Sequence, residues 1–289
     1  MDWPLYIQGR FVHESDVNEI KDLLACRSDW NRTRFSIALC ERWAWQRPDG
    51  QLKDMACREY LRKLEALGFI RLPAPLTHGA HGTRIVKVNV DRSLVHCKLN
   101  ALTGLELVDA RIDRADEQLF NSLLKEHHYL SFNRTVGRNM KYLVRSADGR
   151  PLACLLFGSA AWKAKDRDLF IGWDAMTREQ NVNLITNNTR FLILPWVDVK
   201  NLASWSLSQA LRRLRNDWLR RYGEEVVLVE TFVDRDRYLG TCYKAANWQC
   251  VGSTVGRSRQ DRAHKLSVPV KDIYVYVLEK GFRRRLCND

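Results

Sequence analysis

The chain has 289 residues, 45% of them hydrophobic and ten of them tryptophan, which excludes a disordered polypeptide and allows two domains or one large one. A formal net charge of +13 favours an acidic partner, nucleic acid first, over a cationic one. No apolar run is long enough for a membrane span, the first ten residues lack the layout of a secretory leader, and the cysteines and histidines show no metal-ligand spacing. The expectation is a cytoplasmic protein with no membrane contact, reduced cysteines and no metal site.

Three amphipathic helices are predicted first. Asp16–Ala25 turns Val17, Ile20, Leu23 and Leu24 inward. Residues 32–43, capped by Asn31, bury Phe35, Leu39 and Cys40. Residues 52–67, stopped by Gly68, bury Met55, Cys57, Leu61 and Leu64. Two strands over 69–73 and 83–90 follow, joined by a Gly/Pro-containing loop. Three helices and a hairpin have the layout of a winged helix-turn-helix, so residues 1–95 are expected to bind duplex DNA, with Lys53, Arg58 and Arg62 of the third helix meeting bases or phosphates. A protein-docking module with a solvated basic face is the competing reading of the same stretch.

After a linker over 91–104, residues 105–289 read as a second domain. Its elements are a strand over 105–111, a helix over 115–127 and a hairpin of 141–144 and 152–157 turned at Asp148-Gly149. A long polar and aromatic connection over 160–188 holds Trp162, Asp166, Asp168, Trp173 and Asn188, with Arg190 just beyond. Residues 191–194 are a short buried strand, Asn201–Arg221 a helix ended by Gly223, and Val226–Val229 a second buried strand that delivers Glu230 to its carboxyl end. A helix over 236–247, strands over 250–255 and 273–278, and a basic Gly/Ser-rich loop over 256–265 complete the chain. Strand–helix–strand order implies parallel strands with a right-handed crossover, and ligands bind beyond the carboxyl ends of such strands.

Three classes of function follow from these residues. The first is a group-transfer site at the carboxyl edge of the parallel strands, where Glu230, Tyr243, Asn201 and Ser204 are brought together. Glu230 and Tyr243 are expected to face one another across a cleft. The second is a Mg²⁺-dependent nuclease or strand-processing factor using Asp166, Asp168, Glu230 and Asp234, and the third a non-catalytic DNA-binding subunit that recruits partners. In each, Trp162, Trp173, Asn188, Arg190, Lys200 and the loop arginines Arg257, Arg259 and Arg262 are the candidate nucleic-acid contacts, DNA being favoured over RNA.

The element order of the second domain resembles the GNAT fold of N-acyltransferases, and the stretch Gly240–Gly252 is similar to the helix-into-strand segment that carries a tyrosine near the thioester sulfur in that fold. The resemblance implies Tyr243 as the general acid that protonates a leaving group and Glu230 as the general base for an attacking amine. The turn that would cradle the pyrophosphate of coenzyme A, Val197–Ser204, has no glycine and carries Asp198, which repels phosphate; Lys200 and the following helix start remain to hold an anion, and no cofactor is assigned. Over the whole chain the sequence resembles more closely the DruA family of Druantia anti-phage defence systems. The residues that carry this are His128-Tyr129-Leu130, Ser159–Trp162, Ile171–Trp173, Asn187–Val197, Asn201–Ser204, Glu230–Asp234, Gly240–Trp248 and Arg259–Arg262, with Gly50–Arg58 in the first domain. The expected architecture is thus α+β, a winged helix-turn-helix-like domain followed by a GNAT-like mixed-sheet α/β domain. The family implies a role in phage defence or on mobile elements, with other defence proteins as partners.

Overall fold

A computed structural model of the chain describes residues 3–7, 10–47, 50–75, 85–256 and 269–287. The chain divides into two compact units, Met1–His81 and Gly82–Asp289. The division falls earlier than residue 95 because Ile85 and Val90 pack against the core of the larger unit, and the Val88 amide donates to Ser122 Oγ there at 2.9 Å.

The smaller unit contains a short antiparallel hairpin, β1 (Leu5–Ile7) and β2 (Arg10–Val12), then α1 (Glu14–Cys26), α2 (Arg32–Arg42) and α3 (Asp54–Ala66). Asn31 caps α2 through its side-chain oxygen, which accepts from the Arg34 amide at 2.9 Å. The apolar faces of the three helices meet around Ile20, Phe35, Leu39, Tyr60 and Leu64, all essentially inaccessible to solvent. Met55 is not part of this core: it is exposed, and Arg58 lies against its sulfur. The two strands of the expected wing are absent among the described residues. Residues 69–73 do alternate, burying Ile70 and Leu72, but no strand pairs with them, and residues 85–90 belong to the other unit. The hairpin this unit has lies before its helices rather than after them.

The larger unit contains β3 (Val95–Lys98), β4 (Glu106–Asp109), α4 (Arg114–His127), β5 (Met140–Arg145), β6 (Pro151–Ser159), α5 (Lys165–Ile171), α6 (Ala175–Asn181), β7 (Ile185–Ile193), β8 (Val197–Lys200), α7 (Leu202–Tyr222), β9 (Leu228–Asp234), α8 (Thr241–Ala245), β10 (Gln249–Ser253), β11 (Lys271–Val277) and α9 (Phe282–Cys287). Seven strands form one mixed sheet in the order β10-β11-β9-β7-β6-β5-β4, in which only β7 and β9 are parallel, while β3 and β8 make a separate parallel pair. This is an α+β architecture. Phe120 and Leu124 of α4 and Leu207, Leu214 and Trp218 of α7 join the core on one face of the sheet. On the other face Ile171, Phe282 and Leu286 cover Ile185, Leu228 and Val275.

Three boundaries differ from the sequence reading, and each bears on the site. β7 starts at Ile185, not at residue 191, so Asn187, Asn188 and Arg190 stand on a central strand rather than in a loop. β9 runs on to Asp234, which places Glu230 inside the strand and not at its end. The helix expected over 236–247 is only Thr241–Ala245, entered through Gly240 in the left-handed region at φ 68°.

Candidate functional site

The parallel ladder between β7 and β9 is short. It pairs Ile185 with Leu228, Thr186 with Val229 and Asn187 with Glu230, and there it stops. Beyond it β7 continues to Ile193 and β9 to Asp234, each without the other. The separation has a local cause. Leu156 of β6 pairs with Arg190 and Phe157 with Asn188, so Thr189 is one residue too many on β7, and a bulge of this kind bends its strand. Where the backbones part, the Thr231 hydroxyl donates to the Asn188 carbonyl at 3.0 Å and takes the place of a ladder bond.

The gap opens into a cavity of about 770 Å³. Its walls are the parted segments Asn187–Ile193 and Thr231–Val233, with His128–Leu130 after α4, Tyr238–Tyr243 around α8, and Ala203 in the first turn of α7. Buried strand edges with unpaired amides and carbonyls are costly unless something else bonds to them, so such a cleft suits an extended polar ligand.

One polar chain is fixed in its wall. The Tyr243 hydroxyl donates to Asn188 Oδ1 at 2.8 Å. The direction follows from the amide: Asn188 Nδ2 donates to the carbonyls of Leu156 (3.1 Å) and Arg190 (3.2 Å), leaving Oδ1 as the acceptor. The Tyr243 ring is held by Trp248 at 5.1 Å, Tyr274 at 5.9 Å and Phe191 at 6.3 Å between centroids. Burial pushes the phenol well above its ordinary value, so at neutral pH it keeps its proton and offers it. His128 is also buried, and loss of solvation, with Arg190 nearby, lowers its imidazole to about 4. Its Nδ1 accepts from the Leu130 amide at 3.2 Å, so the neutral ring carries its proton on Nε2.

Glu230 does not belong to this wall, and the expectation that it faces Tyr243 is corrected by the strand register. It lies beside Asn187 and Val275, with Leu228 two residues earlier on the same face, whereas Tyr243 packs on the Tyr274 side. Its carboxylate has no solvent exposure; it accepts from the Ala161 amide at 2.6 Å and pairs with Arg167 at 2.7 Å. Desolvation raises it to about 7 against the pull of Arg167 and that amide. Arg167, equally buried, also binds Asp168 at 2.7 Å and the Ala161 carbonyl at 2.9 Å. The network ties α5 to the sheet.

The other candidates scatter. Trp173 is buried, its Nε1 donating to Asp168 at 3.0 Å, whereas Trp162 is two-fifths exposed. Arg190 and Asn188 line the cavity. Asn201 precedes α7 in the left-handed region at φ 69°, Ser204 Oγ bonds its carbonyl at 3.1 Å, and Lys200 is exposed on β8; none of the three lines the cavity, which α7 reaches through Ala203. In the smaller unit Lys53 precedes α3, Arg58 is paired with Asp54 at 2.6 Å and Arg62 with Glu59 at 2.9 Å. Arg257, Arg259 and Arg262 lie outside the described residues. The acids of the nuclease reading are spent on internal partners: Asp166 on the Ser253 amide at 2.7 Å, Asp168 and Glu230 on Arg167, and Asp234 on Arg237 at 3.8 Å. Among the described residues no group of metal-ligating side chains converges. Sequence reasoning missed Tyr129, Thr231, Tyr238 and Lys271, all lining the cavity; only the paired tyrosines, each beside apolar and basic neighbours, left a trace in the sequence.

Fold and site together define an α+β protein with a mixed sheet that opens between its two parallel strands. The chain belongs to the DruA family: the profile described as Druantia protein DruA matches residues 91–285, the whole of the larger unit's sheet included. No curated protein matches it. Among solved structures it is similar to a chimera of spermidine N-acetyltransferase SpeG from Vibrio cholerae and hSSAT, at 11% identity and a TM-score of 0.42, over 62% of this chain and 99% of that one. The Vibrio cholerae enzyme in complex with CoA and spermine gives 9% identity and a TM-score of 0.41, over 62% and 98%.

Proposed function

We propose that this chain serves in anti-phage defence, as its Druantia family implies, and that its larger unit is a GNAT-like group-transfer domain acting on nucleic acid or a nucleic-acid-bound group. The observation that carries the reading is the parting of β7 and β9 at the Thr189 bulge, which leaves two strand edges and the Tyr243 hydroxyl facing one cavity. In that cavity Tyr243 is the proton donor to the leaving group, its hydroxyl hydrogen turning from Asn188 Oδ1, which holds it in the free protein, to the leaving atom. The partners are nucleic acid, DNA before RNA, and other proteins of the defence system, in the cytoplasm.

Coenzyme A fits poorly. Residues 194–204 contain no glycine, and Val197–Lys200 is a strand laid in register on β3, with Asp198 accepting from His96 Nδ1 at 2.8 Å, where a flexible backbone cradle for pyrophosphate would be needed. The test is mass spectrometry of an oligonucleotide incubated with the full chain and with either acetyl-CoA or the shorter acetyl-pantetheine. A mass gain that Tyr243→Phe removes supports the reading, with the short donor expected to serve as well as the long one. No gain with any donor, in the presence of verified oligonucleotide binding, argues for a non-catalytic binding protein.

A further inference from the structure

The mouth of the cavity has a composition that a polyamine or other cationic acceptor would not meet. None of the described side chains lining it is a carboxylate. Arg190 is half-buried there, bonded through Nε to the Ser131 carbonyl at 3.3 Å and through Nη1 to the Thr189 carbonyl at 2.7 Å, and among the described residues no carboxylate pairs with it. Lys271 of β11 and His128 line the same cavity. A guanidinium half out of water with only neutral acceptors retains its full charge, and an anion is what would offset it. Of the acids on β9 and β11, Asp234 stands opposite Lys271 in the ladder and 3.8 Å from Arg237, and Asp272 pairs with Arg235, so Arg190 is the cation here without a carboxylate among the described residues.

Beside these cations lies an exposed aromatic surface assembled from two loops. Tyr129, after α4, and Tyr238, before α8, approach with centroids 5.5 Å apart and rings tilted by 60°. They are 38% and 49% exposed, and Leu130 and Leu239 flank them, also exposed. Arg237 sits over the Tyr129 ring at 5.2 Å, and the His128 ring stacks with it at 4.8 Å. Side chains this apolar stand open on a rim otherwise occupied by Arg190, Lys271 and Arg237. A flat π-surface next to a guanidinium that no carboxylate pairs with among the described residues matches a nucleobase joined to a phosphate.

We propose that the Tyr129–Tyr238 surface receives an unpaired nucleotide of a single-stranded nucleic acid, its base stacked on the tyrosines and its phosphate held by Arg190 and Lys271. Both faces of a base in a duplex are taken by its neighbours, so the ligand must be single-stranded or flipped out. The proposal rests on the transfer reading for its account of why the base is brought to the cavity, but binding needs no donor and is measured without one.

The experiment uses the full chain, a fluorescent oligothymidylate and its duplex, read by anisotropy, together with photo-crosslinking through a halogenated uracil and peptide mapping. Single strand is expected to bind more tightly than duplex and to crosslink at Tyr129 or Tyr238. Tyr129→Ala and Tyr238→Ala should each weaken it about tenfold, as should Arg190→Gln, while Tyr129→Phe and Tyr238→Phe, which keep the stack, should bind as the parent does. Duplex binding as tight as single strand, crosslinks confined to other segments, alanine variants that bind unchanged, or displacement from the rim by spermine rather than by a mononucleotide would each overturn it. Transfer to some other acceptor without single-strand binding would remove this inference and leave the transfer reading; binding without transfer would do the reverse.

Discussion

Glu230 is the residue on which a structural and a chemical role diverge most sharply. Its carboxylate and the Arg167 guanidinium are both shut off from solvent and joined at 2.7 Å. Removing one partner of such a pair costs about 3–5 kcal/mol when the other is left unpaired in a low-dielectric interior; Arg167 keeps Asp168 at 2.7 Å, so the lower end, about 3 kcal/mol, applies. Glu230→Ala should therefore lower stability by that amount, and in a unit of this size about 2–4 °C is lost per kcal/mol, so a fall in Tm of roughly 10 °C is expected. Glu230→Gln keeps one oxygen for the Ala161 amide and loses the charge, so its fall should be smaller, about 1–3 kcal/mol. Adding Arg167→Met to Glu230→Leu should recover part of the loss, because no buried guanidinium remains, although Asp168 would then depend on Trp173 and on Arg178 at 3.7 Å. The assay is urea and thermal unfolding of the four variants beside phage protection. If Glu230→Gln melts within a degree of the parent yet abolishes protection, the carboxylate acts on a substrate and the structural assignment is wrong.

Three further outcomes follow from the same geometry. His128 has a folded-state value near 4, below the ordinary 6.5, so between those pH values the unfolded chain binds more protons and stability falls as pH drops; relative to His128→Gln the parent should lose about 2–3 kcal/mol from pH 7 to pH 4, and a constant difference across that window would refute it. Gly240→Ala should destabilise by about 2–4 kcal/mol, since φ is 68° and the new Cβ would come 2.5 Å from the Tyr274 hydroxyl; a silent variant would show that the turn into α8 is not fixed as described. If α3 meets duplex DNA, alanine at Lys53, Arg58 and Arg62 should flatten the salt dependence by at most about three phosphate contacts, and by fewer to the extent that Asp54 and Glu59 hold their arginines; an unchanged slope places duplex binding elsewhere.

Where one physical signal dominated, the fold was legible in the sequence. The helix over α7 showed itself through Leu207, Leu211, Leu214 and Trp218 at helical spacing, and Gly223 ends it at φ 70° as a left-handed cap. The β5–β6 hairpin was marked by Asp148-Gly149, with Gly149 at φ 80°. The first half of β7 is not, because Asn187, Asn188 and Arg190 read as loop residues; on the strand Asn188 bonds the Leu156 and Arg190 carbonyls and Arg190 those of Ser131 and Thr189, a partnership no local pattern announces. The same is true of the wing, where the alternation of Ile70 and Leu72 is real but comes from burial on the helices and not from strand pairing. Tyr243 stands out in the sequence through the likeness of Gly240–Gly252 to a GNAT segment, whereas Val226–Val229 read as a whole strand puts Glu230 at its end. Four more strand residues beyond Glu230 turn a carboxyl-end acid into an interior one, and a strand's two-residue period then decides which face it joins. The parting of β7 from β9 depends on a single extra residue at Thr189, which no composition or periodicity reveals.

The most direct measurement is phage protection by cells carrying the complete defence system with Tyr243→Phe in this chain. The phenylalanine keeps the contacts with Trp248, Tyr274 and Phe191 and loses only the hydroxyl that donates to Asn188, so about 1 kcal/mol of stability is at stake. The expected result is plaque counts equal to those of cells lacking the protein, with the variant folded and present at the parent's level. Full protection by the folded variant would contradict a proton-donating role for Tyr243 and with it the transfer site between β7 and β9.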